Sequence, residues 1–512
     1  MRTNGTIQLF PLLRIALCLV AGVFVGCMAV EDVCVKTWGF LFCALLLPCF
    51  FLFRHPIWQG MVLMLAVVAG GAYLGSRESV TYQTSLNENP EVYEAVLTSR
   101  PVKRGKVMKC DLRITSGMYA GKKIKASILR DTVSMRCEQL RLGDGVVACS
   151  ALQPLGYDVG MYDNSLYLKS QGYFAQTFIY VDAWCKSTVS LRSMSVVERA
   201  RLRMMEWREH LLQRYHDFGF EEESLALVSA MTLGDKSALS REVREVFSIS
   251  GASHVLALSG LHLGIIYAFL SLIIPRRRFR FACELFLVVM LWSYALLVGL
   301  SPSIVRAAMM LTLYSLTSLL RRDKFSLNTL GLAATVMLVW HPLMVFDIGF
   351  QLSFLAVLFI LVLFKPLYAL IRGTWFERFR PFRLLWSMTS VSIAAQLGVF
   401  PLILYYFGRI SPYFLLSNFI VIPAAVLLLY CMIFVWLFVW LPAIQSTLVH
   451  VVSWVVECQL YALSEIALLP GADIGHVHIN LMQTVLLYTI TCAGIMLFYK
   501  FRPHLWKRRR EY

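Results

Sequence analysis

Between Gly251 and Gly264 the chain reads GASHVLALSGLHLG, with two histidines and two serines inside a stretch apolar enough to enter a membrane. Polar groups are costly in hydrocarbon and usually face a bundle interior or a watery path. On a continuous helix, at roughly 100° per residue, His254 and His262 would sit about 80° apart and could face one cavity. The alternative is packing: Gly260 and Gly264 form the small-xxx-small spacing that lets helices approach, and each histidine could satisfy a buried partner. Ser259 and His262 have the residue types of an intramembrane serine hydrolase. On one helix, however, a pair three apart diverges from the axis, and no third group is identifiable.

Further polar residues recur along the later apolar runs. Ser301-Pro302-Ser303-Ile304-Val305-Arg306 opens a helix with proline in its first turn, which sets Arg306 inside a span at a cost of at least about 2.5 kcal/mol on insertion scales. Such an arginine either contacts a phosphate in a conduit or snorkels to the interface. Asp347 stands where it would cap the next helix, with Gln351 one turn on, and Gln396 and Asn418 add polar groups to later helices. One polar interior running through several helices accounts for this set with fewer assumptions than separate exceptions do. His476-Val477-His478 begins like a metal site, but no further ligands follow at useful spacing. No phosphate-binding glycine loop occurs. The residues therefore carry no enzyme signature, and neither metal nor cofactor is expected.

A second chemistry-bearing region is basic. Residues 101–150 hold 11 Lys/Arg against 4 Asp/Glu, including Lys103, Arg104, Lys106, Lys109, Arg113, Lys122, Lys123 and Lys125. Such a face could track a phosphate backbone; it could equally stay solvated or meet anionic lipid headgroups. Met108, Cys110, Leu112 and Ile114 alternate with polar residues, and so do Ile124, Ala126 and Ile128 beyond a glycine-bearing turn, the pattern of a β-hairpin with one wet face. Strand-like runs at Gly145–Leu152 and Gly172–Tyr180 extend this to a small β-barrel of about five strands. Cys110, Cys137, Cys149 and Cys185 lie in this polar block, where a disulfide depends on an oxidising compartment.

The surrounding elements are long apolar helices. Of 512 residues, 58% are apolar and 15% charged, against roughly 25% charged in soluble proteins, which excludes an ordinary cytosolic enzyme and a disordered chain. Twelve candidate spans emerge at about 20 residues each: Pro11–Val30, Trp38–Phe53, Trp58–Ser76, His254–Ile274, Phe281–Leu300, Ser303–Leu320, Ser326–Val345, Ile348–Phe364, Leu384–Tyr406, Pro412–Trp440, Leu448–Leu469 and Asn480–Lys500. Pro412–Trp440 could be kinked at Pro423 or re-entrant, and Leu448–Leu469, with Glu457 and Glu465, could lie in the interface plane. In the polar block Met204, Trp207, Leu211, Tyr215 and Phe218 give an amphipathic helix from Val196, followed by helical stretches Ser224–Leu233 and Arg241–Ile249.

The net charge of +17 is concentrated in residues 251–512, which hold 20 Lys/Arg against 8 Asp/Glu. Its clusters at Arg276–Arg280, Arg321-Arg322, Arg378–Arg383 and Lys507–Arg510 read as cytoplasmic loops. With Glu31 and Asp32 in the first loop and Arg54 in the second, both termini are expected in the cytoplasm and residues 77–250 outside. The expected fold is a polytopic α-helical membrane protein of about 10–12 spans with an external small β-barrel (OB-like) domain after the third. Its parts are three helices in 1–76, the β domain in 77–185, amphipathic helices in 186–250, a second membrane domain in 251–500 and a basic tail in 501–512.

The order of several uncommon strings resembles the ComEC-type DNA-internalisation (competence) family. They are AMTLGDK from Ala230, GASHVLALSGLH from Gly251, PSIVRA from Pro302 and DIGFQLS from Asp347, then AQLG from Ala395 with Pro401, and Asn418 with Pro423. Tyr157-Asp158, Tyr162 and Tyr167-Leu168, before Gly172, are similar to the end of that family's external domain. The resemblance implies an inner-membrane channel that admits one strand of transforming DNA, with an external OB-like domain and a competence domain of packed helices. It implies as partners single-stranded DNA, the lipid bilayer, an external DNA-receptor protein and cytosolic motor or recombination proteins. Many members continue into a metallo-β-lactamase-like domain thought to degrade the other strand; the sequence read here reaches Tyr512 without one, so a separate nuclease is expected. A channel or exporter for another anionic polymer or lipid-linked substrate is the alternative reading, with the intramembrane serine hydrolase behind it.

Overall fold

Period-two alternation in the polar block becomes strand, and the apolar runs on either side become helix. The computed structural model describes residues 10–28, 32–82, 86–87, 89–131, 135–156, 164–191, 194–256, 258–274, 279–319, 326–371, 378–475 and 477–501. Glu31, Tyr157, Asp158, Tyr162, Ala257, Arg276–Arg278, Arg321, Arg322, His476 and Lys507–Arg510, all used above, lie outside them. The chain divides into two compact units, Met1–His210 with Ser293–Pro302 and Leu327–Gln351, and Leu211–Trp292 with Ser303–Ser326 and Leu352–Tyr512.

The first unit opens with α1 (Pro11–Met28), α2 (Asp32–Phe51) and α3 (Pro56–Thr81). In lipid no hydrophobic force drives helices together, so close packing of small residues must do it. Gly22 and Gly26 of α1 supply that: an added Cβ would run into the Val68 or Ala72 carbonyl of α3, and one at Gly71 would lie 2.6 Å from the Leu19 carbonyl.

After α3 come β1 (Glu91–Leu97), β2 (Val102–Arg104), β3 (Val107–Ile114), β4 (Lys123–Leu129), β5 (Gly145–Ser150), β6 (Leu152–Gln153), helix α4 (Ser165–Ser170), β7 (Tyr173–Ile179) and β8 (Trp184–Ser187). The expected hairpin is β3–β4, antiparallel with Cys110 opposite Ala126. β4 pairs in parallel with β7, β7 with β6, β5 with β1 and β1 with β3. Only Ala151 separates β5 from β6, so the pairing returns to its start as a ring of five strands, with β2 and β8 added at the edges. At the seam, the Ser150 hydroxyl lies 2.7 Å from both Tyr93 Oη and Thr177 Oγ1, so these buried polar groups are satisfied. The alternating apolar residues, including Leu97, Leu112, Ile124, Ile128 and Ile179, fill the interior. Cys110, Cys137, Cys149 and Cys185 are free thiols, the first two buried and the last two exposed.

The remaining helices are α5 (Val196–Asp217), α6 (Glu222–Leu233), α7 (Arg241–Ile249), α8 (Ser253–Leu256), α9 (Gly260–Ile273), α10 (Arg280–Leu297), α11 (Pro302–Leu319), α12 (Leu327–Trp340), α13 (Ile348–Tyr368), α14 (Arg380–Phe407), α15 (Phe414–Leu437), α16 (Pro442–Leu468) and α17 (Leu481–Phe501). Each expected span has its helix, but among the described residues nine helices are long and apolar enough to cross a membrane. The count falls below the expected 10–12 because α9 and α12 have only 14 residues, about 21 Å of rise, and the continuous helix α11 has its hydropathy diluted by Arg306 and by scattered serines and threonines. α15 is one continuous helix through Pro423 rather than a re-entrant pair. Two further expectations need correction. His254 and Ser259 do not share a helix with His262, because the chain leaves helix after Leu256 and restarts at Gly260. On α5 the buried positions are Leu202, Met205, Arg208 and Tyr215, while Trp207 is 67% exposed; the helix is rotated from the expected face because it packs Leu202 against Val96 and Met194.

Candidate functional site

The break before α9 changes the geometry of its polar residues. Ser259 is extended and caps the helix: its Oγ accepts from Leu261 N–H at 3.3 Å, and His262 Nδ1 accepts in return from Ser259 N–H at 3.3 Å. This is a capping box with histidine where glutamate or glutamine is usual. It brings Ser259 Oγ to 3.2 Å from His262 Nδ1. Because Nδ1 accepts, the neutral ring carries its proton on Nε2, which is buried and meets no acceptor among the described residues. His254 is exposed, with Nδ1 3.3 Å from the Gly251 carbonyl.

α11 crosses α9 at Gly260, where a Cβ would stand 3.4 Å from the Ala307 Cβ; Gly264 has open space instead, so only one of the two glycines serves helix packing. Arg306, next to Ala307, is 5% exposed and His262 is fully buried, so both sit inside the bundle. Deeper between the same helices, Tyr267 Oη lies 3.4 Å from Glu284 of α10 and 3.2 Å from Ser315 of α11. Glu284 is 1% exposed and was missed by the sequence reading, although a lone carboxylate inside an apolar run was the available signal.

The α7–α8 corner is held by the α14–α15 connection. Gly251, at φ +78°, faces Ser411, the Ser417 hydroxyl donates to the Ser250 carbonyl at 2.7 Å, and Arg409 reaches Ser248 while pairing with Asp473 at 3.0 Å. One turn into α15, Asn418 Nδ2 donates to Ser392 of α14 at 3.2 Å, and its Oδ1 is buried without a partner among the described residues. Gln396 is half-buried on α14. Asp347 and Gln351 belong to the first unit: Asp347 Oδ1 accepts from Phe350 N–H, the expected cap, and Gln351 Nε2 donates to the Val345 carbonyl at 2.9 Å.

The eight basic residues of the β domain do not form one open face. Lys103, Arg104, Lys106 and Lys109 are exposed around the β2–β3 turn, with Lys103 3.8 Å from Glu138. Lys122 stands over the Phe174 ring, and Lys125 lies 5.9 Å from the Tyr173 ring centre. Arg113 pairs with Glu198 of α5 at 2.6 Å, and Lys123 with Asp111 at 3.4 Å, so both are engaged inside the unit. Burial lowers the Lys123 ammonium from its ordinary value against the opposing pull of Asp111. Tyr173, which donates to Asp111 at 2.8 Å, is raised by burial and by that carboxylate.

Nine long apolar helices among the described residues, with polar groups buried among them, define a multi-pass membrane protein with a β domain in its N-terminal half. The model of the competence protein family matches residues 231–501, more than half of the chain, and the chain belongs to that family. It is similar to ComE operon protein 3 of Bacillus subtilis (strain 168), at 32% identity over 241 residues, covering 47% of this chain and 30% of that one. It is also similar to an uncharacterized protein of Aquifex aeolicus (strain VF5), at 36% identity over 159 residues, covering 31% of this chain and 38% of that one. The match thus spans about a third of each relative's own length. No solved structure matches.

Proposed function

We propose that this protein is the cytoplasmic-membrane channel through which single-stranded DNA enters the cell during natural transformation. The observation that carries the reading is that the family match covers the helices in which His262, Arg306 and Asn418 are buried. Polar groups inside a membrane bundle face its interior or a watery path and often mark the route of a polar substrate. The ring of five strands, with its third and fifth members parallel, supports an OB-like reading of the β domain, and its exposed cations at Lys103, Arg104, Lys106 and Lys109 would gather the strand. In this reading residues 77–250 face outward, both termini are cytoplasmic, and the chain performs no covalent chemistry. Its partners are the DNA strand, the bilayer, an external receptor and a cytosolic motor or recombination protein.

The test is uptake of labelled DNA by cells carrying the wild-type gene, a deletion, Arg306→Ala or His262→Ala. The deletion should abolish entry while surface binding persists, and the two variants should reduce entry at normal protein levels. Unchanged entry in the deletion removes the proposal. The 3.2 Å contact between Ser259 Oγ and His262 Nδ1 favours a second reading, a serine hydrolase.

A further inference from the structure

The first half of α5 lies against the outer face of β3 and β4, and the seam between them holds more positive charge than it neutralises. Two pairs are internal, Arg113 with Glu198 and Lys123 with Asp111, and all four side chains are 26% exposed or less. Arg201 and Arg208 follow two turns apart on α5. Among the described residues neither makes a hydrogen bond or an ion pair, Arg208 is only 8% exposed, and the Nε atoms of Arg113, Arg201 and Arg208 are all buried without an acceptor. Buried charge is normally paired because desolvating it is costly. Here two guanidinium groups are left over.

The seam also holds a cavity of about 50 Å³, walled by Arg113, Lys123, Arg201, Glu198 and Thr98 together with the apolar Met194 and Leu202. A water in the liquid occupies about 30 Å³, so the space suits one small tetrahedral anion and excludes a nucleobase. Burial lowers both Lys123 and Arg201, and their cationic neighbours push the same way, Arg201 and Arg113 acting on Lys123, and Arg208 on Arg201. Asp111 pulls both groups upward, as do Tyr173 and Glu198 for Arg201. An anion in the cavity would relieve the whole set.

We propose that this cleft binds one phosphate group, with Arg113, Lys123 and Arg201 as direct donors and Arg208 adding charge from behind. Guanidinium forks match tetrahedral oxyanions by paired N–H donors. The site lies within the first unit and does not depend on the transport reading. The phosphate could be free or carried on a lipid headgroup.

The test uses the full chain in a phosphate-free, non-ionic detergent, with thermal unfolding followed as inorganic phosphate replaces chloride at constant ionic strength. A ligand of the folded state raises the midpoint progressively, with the logarithm of its concentration once that exceeds the dissociation constant. Wild type should show that rise, Arg201→Gln should need at least tenfold more phosphate for it, and chloride should give none. Thr98→Glu places a carboxylate in the cavity; it should raise the basal midpoint and remove the phosphate response, and it carries the test should Arg201→Gln fail to fold. No rise in wild type, or an undiminished rise in Thr98→Glu, overturns the proposal. In nanodiscs, loss of the phosphate response when phosphatidylglycerol is added to zwitterionic lipid assigns the headgroup as occupant, and an unchanged response assigns free phosphate.

Discussion

Replacing Ser259 separates a helix cap from a nucleophile. As a cap it contributes two reciprocal hydrogen bonds, both long at 3.3 Å. Losing an N-cap costs about 0.5–2 kcal/mol, and the length of these bonds sets Ser259→Ala near 1 kcal/mol. The bonds of His262 Nδ1 add little, because an alanine backbone still donates to it. Asparagine caps as well as serine, so Ser259→Asn should recover nearly all of that loss. A catalytic serine behaves otherwise: removing one costs up to about six orders of magnitude in rate, whatever the stability of the variant. The assay pairs DNA uptake in cells that depend on this gene with thermal unfolding of each purified variant. The cap account expects Ser259→Ala to lower the unfolding midpoint, with uptake reduced at most a few fold, and Ser259→Asn to match wild type in both. If both variants unfold like wild type yet take up no DNA, Ser259 is chemically required and the cap account fails.

Gly26→Leu should cost at least about 1–3 kcal/mol, because its side chain would displace α3 at Ala72, and the loss would appear as a lower midpoint and lower membrane yield. Burial pushes the Cys110 thiol up to about 12, so at about pH 7.5 a maleimide should label Cys149 and Cys185 of the native protein, and Cys110 and Cys137 only after unfolding. With a membrane-impermeant maleimide on whole cells, labelling of Cys149 and Cys185 supports an outward β domain, and labelling only after lysis refutes it. The hydrogen bond from Arg130 at 2.6 Å holds the Glu138 carboxyl below its ordinary 4.5. Its folded value is depressed, so the stabilisation is complete above the unfolded value and disappears as pH falls through the folded one. Glu138→Gln should flatten the midpoint-against-pH curve below about pH 5, and an unaltered curve would contradict the assignment.

Much of the architecture was legible because periodicity survives folding. The β3–β4 hairpin followed from strict alternation, and each expected span contains a helix, although His254–Ile274 is broken before Gly260. What escaped notice depended on partners distant in sequence. Arg113 and Lys123 counted as free charge until Glu198 and Asp111 claimed them. α5 was rotated because its inner face carries an arginine, which an apolar count assigns to solvent. A barrel of about five strands was expected, but its edge strands β2 and β8 were not, because three or four residues are too few for alternation to show. The helix break at Ser259 left no mark in an unbroken apolar run, and a histidine in the capping box disguised the one local signal. Gly260 and Gly264 drew attention as packing residues, whereas the closest helix approach is made by Gly22 and Gly26.

The central claim is passage of a DNA strand, and the most direct measurement of it is the amount of labelled donor DNA that becomes resistant to external nuclease and reaches the cytosol. The account predicts that deleting the gene abolishes this fraction without reducing nuclease-sensitive label at the surface, and that Arg306→Ala, expressed at wild-type level, lowers it. Full entry in the deletion strain, or loss of surface binding in step with entry, would contradict it.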